Sequence, residues 1–333
     1  QLKSYYLSSS VHVDSIDYLI GYNYRLHSLD CMNLKSKSVT QIVLPGDGPD
    51  AIVRLSGIYA QSLDSVWISD ESERAFLIDS VGTIKRMIDL KKYLEDQEQL
   101  LINTNYAMFT SHLFYNASRH SLMFLVKHTP SNTFIVKEVF IDEVGKMATY
   151  QLSSSKVVPD MSKGYAYINF PNVNFVGENI VYNYPVESSI YMLDIRTNER
   201  KYILADSHYT SNIIEKCTTS GDYATLEKHW LENSHFYDIM YLPKYKIYAR
   251  LHADKVDFDE KKGMEKLINE RDLYLMLFDE NMEKIGETKL SNCRYSPFTS
   301  WNATYGGIAL FVDNVLDEKN NTDDLTIDII SLK

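Results

Sequence analysis

A short phrase, an apolar run closed by aspartate, recurs along this chain and constrains its fold more than any other feature. It reads HSLD to Asp30, FLID to Asp79, VFID to Asp142, YMLD to Asp194 and MLFD to Asp279, with an aspartate-free echo, DIISLK, at the end. Recurrence at steps of roughly fifty residues means that one supersecondary unit was copied about six times, a period that belongs to propellers, solenoids or arrays.

The second copy shows the unit most cleanly. SGIYAQS (56–62), DSVWIS (64–69), RAFLID (74–79) and TIKRMIDL (83–90) read as four strands, A to D. Val66 and Ile68 alternate with Trp67 and Ser69, and Ser80-Val81-Gly82 supplies a hairpin turn. Four short antiparallel strands joined by tight turns make one propeller blade. The fold class expected is therefore all-β, a six-bladed β-propeller of four-stranded antiparallel blades forming a single domain over 1–333. Its blades fall at approximately 10–45, 52–90, 107–152, 167–205, 235–290 and 296–333. The last copy stops one strand short, and LKSYYLS (2–8) is the expected donor, closing the ring as an N-terminal strand and removing exposed sheet edges.

Three insertions break the rhythm, at 91–106, 206–234 and 254–272; the first and third carry the Glu/Lys spacing and apolar periodicity of short helices. Composition agrees with a strand-rich chain, because 25 tyrosines favour strands and only 13 glycines and 8 prolines leave many turns to Asn, Asp and Ser. A formal charge of −11 opposes a nucleic-acid or anionic membrane-surface partner, both of which need a basic face. Cys31, Cys217 and Cys293 lie far apart without a CxxC pair, so neither a zinc site nor a disulfide framework is signalled. No apolar stretch reaches the roughly eighteen residues of a membrane-spanning helix. The chain begins at Gln1 rather than Met, from which a removed leader is expected.

The stretch from Gly46 to Lys85, with its GDGPDAI lead, its G-I pair and its VWISD strand, resembles an NHL-type propeller repeat. It is similar to the six-bladed propeller lipoproteins of unknown function abundant in Bacteroidetes. The resemblance implies a cell-envelope protein, periplasmic or surface-exposed and held by an N-terminal lipid anchor, and it carries over no catalytic residues.

The residues that could carry chemistry also have blade-building roles. The loop Gly46–Asp50 lacks the lysine of a phosphate cradle and reads as an interblade turn. The repeated aspartates read as caps of the turn between strands C and D, since a short carboxylate accepts nearby backbone N–H groups. The acidic stretches 257–260 and 313–324 match no calcium loop, and the nine histidines form no metal-ligand pair. No cofactor, metal site or catalytic residue is expected. Strand A lines the channel of a propeller, so polar residues at its start should converge. These are Arg54, His112, Asn172, Asn174, His235 and Ser296, with Trp230 as an aromatic in an inserted polar loop. The expected role is a binding module for a small molecule, a glycan or an envelope protein. The alternatives are a hydrolase or lyase with a pore-centred metal, and a protein-binding scaffold or sensor.

Overall fold

The computed structural model describes residues 2–101, 110–157, 165, 170–217, 222–319 and 324–332. Blade one comprises β1 (Ser8–Val13), β2 (Ile16–Asn23), β3 (Ser28–Asn33) and β4 (Val39–Val43). Blade two comprises β5 (Leu55–Ser62), β6 (Ser65–Asp70), β7 (Arg74–Ile78) and β8 (Ile84–Asp89). A short β9 (Glu98–Leu100) precedes blade three, which holds β10 (Phe114–Asn116), β11 (Ser121–His128), β12 (Thr133–Phe140) and β13 (Met147–Gln151). Blade four holds β14 (Asn172–Val176), β15 (Asn179–Asn183), β16 (Ile190–Asp194) and β17 (Arg200–Ile203). Helix α1 (Tyr223–Leu231) leads into blade five, built from β18 (His235–Leu242), β19 (Ile247–Ala253), β20 (Leu273–Phe278) and β21 (Lys284–Lys289), with α2 (Met264–Asn269) inserted before β20. Blade six has three strands among the described residues, β22 (Trp301–Ala303), β23 (Ile308–Phe311) and β24 (Ile327–Ile330).

Every blade is an antiparallel meander in chain order, as tight turns between alternating strands dictate. The core is a set of apolar layers between successive blades. Ile20 and Leu29 of blade one meet Ile58 and Phe76 of blade two, Trp67 of blade two meets Leu122 of blade three, and Leu251 of blade five meets Leu310 of blade six. Because each sheet is covered on both faces, its middle strands are apolar on both sides, as in Leu122–Val126, where every residue is buried. Each such side chain contributes about 1.5–3 kcal/mol of burial, so the ring holds by repetition rather than by one central core. No helix among the described residues is long and apolar enough to cross a membrane.

Ring closure corrects the sequence expectation. Residues 2–7 form no strand, and Ser8–Val13 is the inner strand of blade one rather than the outer strand of blade six. The N-terminal segment is instead wedged into the seam between the two blades. Tyr5 packs with Leu19, Met32 and Phe311, its carbonyl accepts the Ser300 N–H at 3.1 Å, and Leu7 O accepts the Tyr22 N–H at 3.0 Å. Polar side chains complete the seam. Asn302 Nδ2 donates to Ser8 Oγ at 2.7 Å, and Asp17 accepts the N–H groups of Tyr305 and Gly306 at 3.0 and 2.8 Å.

The repeated aspartate divides into three structural roles. Asp79 caps the turn after β7, accepting the N–H groups of Val81 and Thr83 at 3.1 and 2.8 Å. Asp194 and Asp279 do the same after β16 and β20. In blade one that position belongs to Asn33, whose Oδ1 accepts the N–H groups of Lys35 and Ser36. Asp30 lies three residues earlier, inside β3 and buried, where it accepts from Tyr5 Oη, Asn23 and Gln41. Asp142 is exposed and faces Arg86 of the preceding blade at 3.0 Å.

The insertions also differ from expectation. Residues 91–101 hold a single 3-10 turn, Leu90–Tyr93, and β9 rather than an α-helix, while the middle insertion supplies α1. The expected inner strand of blade three, 107–115, starts only at Phe114; its residues 107–109 lie outside the described residues, as do 167–169 at the expected start of blade four.

Candidate functional site

The inner strands enclose a channel with a cavity of about 350 Å³ that takes side chains from all six blades. Two departures from regular blade geometry shape it. The first is in blade three, whose inner edge is split. β9 and β10 both pair with β11, and between them residues 110–112 leave the blade and run beside blade four. Ser111 forms a parallel bridge with Val173, the Val173 N–H donates to Thr110 O at 2.8 Å and the His112 N–H to Val173 O at 3.2 Å. This excursion carries His112 onto the channel wall.

The second departure is a bulge in blade five. Phe236 pairs with His252, but Ile239 pairs with Arg250, so two residues of β18 oppose one of β19. A bulge of this kind re-aims side chains and is frequent beside functional sites. Here it lets Tyr237 pack on Trp301, with ring centroids 5.2 Å apart, while Asp238 reaches across the ring. Asp238 is fully buried; its Oδ1 accepts Trp301 Nε1–H at 2.8 Å and its Oδ2 lies 2.7 Å from His112 Nε2. A carboxylate has no proton to give, so His112 Nε2 is the donor of this contact, and in the neutral ring that tautomer leaves Nδ1 as an acceptor. The other ring nitrogen, Nδ1, has no partner among the described residues, and the side chain remains 26% exposed.

Asn172 ties the two departures together. Its Oδ1 accepts the Thr110 N–H at 2.8 Å, and its Nδ2 donates to Phe236 O at 2.9 Å, with Asn183 reinforcing the same carbonyl at 3.3 Å. Two residues on, Asn174 Nδ2 donates to Ile239 O at 2.9 Å on the far side of the bulge. Blade four therefore holds both the segment bearing His112 and the bulge bearing Asp238.

The channel wall is two-sided. Blades six and one contribute Asn302 and the Ser8–Ser10 run beside Trp301, whereas blades two to five contribute mainly Ile58, Tyr59, Phe114, Phe175 and Met240, with His112 and Asn174 as polar groups among them. Tyr59 meets Phe114 edge-on at 5.1 Å and Phe114 stacks on Phe175 at 5.1 Å, so an aromatic arc crosses three blades. Among the described residues no Lys or Arg lines the cavity. Burial raises the Tyr59 phenol, with Tyr115 adding to the effect, and burial likewise raises Tyr241, assisted by Glu280, so both stay neutral.

Of the residues that sequence places at the channel, His112 and Asn174 line it, and Asn172 stands behind the wall with its amide spent on backbone groups. The other three, Arg54, Ser296 and His235, lie elsewhere, as does the expected loop aromatic Trp230. Arg54 precedes the start of β5 and is exposed, lying over the Tyr6 ring at 5.7 Å and 3.5 Å from Glu71. The Ser296 N–H caps Asp313 at 2.9 Å, and its side chain borders a small void behind Trp301. His235 is fully buried; Trp230 Nε1–H donates to its Nδ1 at 3.4 Å, and burial, with Arg271 nearby, holds the imidazole well below its usual pKa and therefore neutral. Trp230 is not a loop aromatic: it is buried on α1, under the Arg271 guanidinium at 5.1 Å and beside Phe298, because the helix turns its apolar side onto blade four. Sequence reasoning missed Asp238 and Trp301. The available signal was FYDIM, a carboxylate within an apolar inner strand, which has to find a partner or a purpose.

Among the described residues no three His, Cys, Asp or Glu side chains converge as a metal ion would require. Comparison with known proteins gives a family and a fold. DUF4221, a domain of unknown function, matches residues 3–289. The chain is similar to the crystal structure of a DUF4221 member from Bacteroides vulgatus, at 14% identity and a TM-score of 0.79 over 100% of this chain and 95% of that one. It is also similar to Kuenenia stuttgartiensis hydrazine synthase (12% identity, TM-score 0.49, 94% of this chain and 74% of that one) and to the nidogen/laminin complex (10%, 0.44, 84% and 78%). No curated protein matches in sequence.

Proposed function

Because the chain belongs to the DUF4221 family, a domain of unknown function, no activity is inherited from it, and we propose that the protein is a cell-envelope binding module whose ligand enters the central channel. The observation that carries this reading is the His112–Asp238 pair at the wall of the cavity. A fully buried carboxylate is costly unless partnered, and this one fixes the orientation of a solvent-accessible imidazole on the wall of the channel cavity. The cavity is at the small end of ligand pockets, which span about 300–1,000 Å³. Propeller rings are rigid because neighbouring blades bury one another, so recognition belongs to the groups set into the ring.

The envelope placement rests on the resemblance of the GDGPDAI segment to propeller lipoproteins and on the Bacteroides relative. Two experiments test the reading. A thermal-shift screen of small polar metabolites should find compounds that raise the melting temperature of the native chain but not of His112→Ala. Hits that stabilise both equally would move the site away from the channel. Fractionation of the source cells, followed with an antibody to this chain, should recover it with the envelope, and recovery in the cytosol would overturn that placement.

A further inference from the structure

Resting on that channel reading, we infer that the ligand is a neutral, polyhydroxylated ring of about monosaccharide size, gripped by His112 Nδ1 acting as a hydrogen-bond acceptor. The size comes from the cavity. About 350 Å³ holds roughly a dozen waters at about 30 Å³ each, or a similar number of ligand heavy atoms.

The charge comes from the lining. Among the described residues no Lys or Arg reaches the cavity to neutralise a carboxylate or phosphate. Asp238, the carboxylate beside His112, is wholly buried and already engaged by His112 and Trp301, so it offers no open counter-charge to an amine. Phe114 and Phe175 turn faces toward each other, which limits the open ring faces that a cation would seek.

The hydroxyls come from the free functions on the wall. With its Nε2 hydrogen given to Asp238, His112 presents a lone pair at Nδ1. Asn302 spends its Nδ2 on Ser8 and keeps its carbonyl oxygen. Ser9 Oγ accepts the Ala60 N–H at 3.0 Å and keeps its own hydrogen. The free functions are thus two acceptors, His112 Nδ1 on blade three and Asn302 Oδ1 on blade six, and one donor, the Ser9 hydroxyl, set among the aromatic and aliphatic side chains of blades two to four. A saturated ring with hydroxyls on its rim and C–H groups on its face satisfies both sides, whereas a flat apolar ligand would leave the acceptors unpaired, at a cost.

Asp238 is a positioning residue in this scheme, and it can be tested apart from any ligand. Nitrogen-15 NMR of the histidine rings should show His112 protonated at Nε2 and bare at Nδ1. In Asp238→Asn the side-chain amide can donate, so the proton should move to Nδ1 and the channel should lose its acceptor. The ligand panel is then methyl pyranosides of glucose, galactose and mannose, against glucuronate and glucosamine. A neutral pyranoside is expected to shift the His112 ring signals saturably, with a roughly tenfold loss of affinity in Asp238→Asn, the worth of about one hydrogen bond. Should that variant not fold, His112→Lys keeps an N–H for Asp238, carries no acceptor and is expected to lose the same factor.

If only glucuronate or glucosamine shifts His112, the neutral class is wrong while the channel reading stands. A pyranoside that binds without moving His112 overturns the site. If no pyranoside binds at saturating concentration, the proposal falls, and the metabolite screen above decides separately whether the channel binds anything.

Discussion

The wedge of Tyr5 into the seam between blades one and six turns on a missing side chain. Gly21 of β2 lies directly beneath the Tyr5 ring, and a Cβ there would stand 2.4, 2.6 and 2.8 Å from ring carbons Cγ, Cδ1 and Cδ2. Carbon atoms need about 3.5–4.0 Å. Gly21→Ala must therefore lift the ring by more than an ångström or expel it. Overpacking alone costs about 1–3 kcal/mol. Lifting the ring also strains or breaks the bond from Tyr5 Oη to Asp30 Oδ2, 2.6 Å in the native chain, and hydrogen bonds to charged groups contribute about 1.5–3 kcal/mol.

Asp30 keeps Asn23 and Gln41, so its carboxylate is not orphaned and the lower half of that range applies. The sum is about 3 kcal/mol, which at about 2 °C per kcal/mol for a chain this long is a fall of roughly 6 °C in melting temperature. The decisive control is the same substitution in a chain starting at Ser8. With Tyr5 gone the clash is gone, and an alanine within a strand is better than glycine by about 0.5–1 kcal/mol, so the effect should reverse sign. Calorimetry on the four proteins gives the coupling directly. An equal drop from Gly21→Ala in both backgrounds would refute the docking of the N-terminal segment on blade one.

Three further outcomes are expected. Asn172→Ala strands the Thr110 N–H and weakens the hold on Phe236 O, costing about 2 kcal/mol; chemical denaturation measures it, and a loss under about 0.5 kcal/mol, the scale of an ordinary surface change, would mean that Asn172 does not brace the channel. Gly82→Ala places a Cβ 2.4 Å from Val43 O at a φ of +86°, so blade two's turn should pull off blade one with a cost of about 2 kcal/mol or more. Burial pushes Asp313 up to about 6, against the pull of hydrogen bonds from Ser4 and the Ser296 N–H. The folded chain then holds its proton where the unfolded chain has released it, so stability falls as pH rises from about 4 to about 6, by about 3 kcal/mol in all. Asp313→Asn should remove that component, so its stability relative to the native chain should rise by about this amount across the window; a constant difference would contradict the burial argument.

Blade count and order were legible because strand alternation and tight turns are local properties, and each blade repeats them. The turn caps were legible in kind but not in register. Asn33 and Asp79 do the same work, since either side chain accepts a turn N–H, so a search keyed on aspartate slid three residues to Asp30 in blade one. Residues 2–8 read as a strand from composition, yet their carbonyls go to Ser300 and Tyr22 across a seam that no local pattern reports. The channel was the least legible part. Its position follows from the inner strands, but the residues that face it depend on the split of blade three and the bulge at Phe236–Ile239, both set by partners more than sixty residues away. Regular blade alignment therefore placed His235 at the pore and passed over Asp238, three positions along the same strand.

The seam between blades six and one has a consequence for how such rings change over evolutionary time. A ring locked by a strand shared between its first and last blades has its number of units tied to that swap, because any duplication must preserve the donor and its register. Here the two blades meet through separate clasps, Asn302 to Ser8 and Asp17 to the backbone of Tyr305 and Gly306, with Tyr5 as a wedge. Each clasp can be gained or lost by a single substitution without re-registering a sheet, so a gene that duplicates or drops one unit next to this joint needs only a few new residues in the seam to seal the circle again.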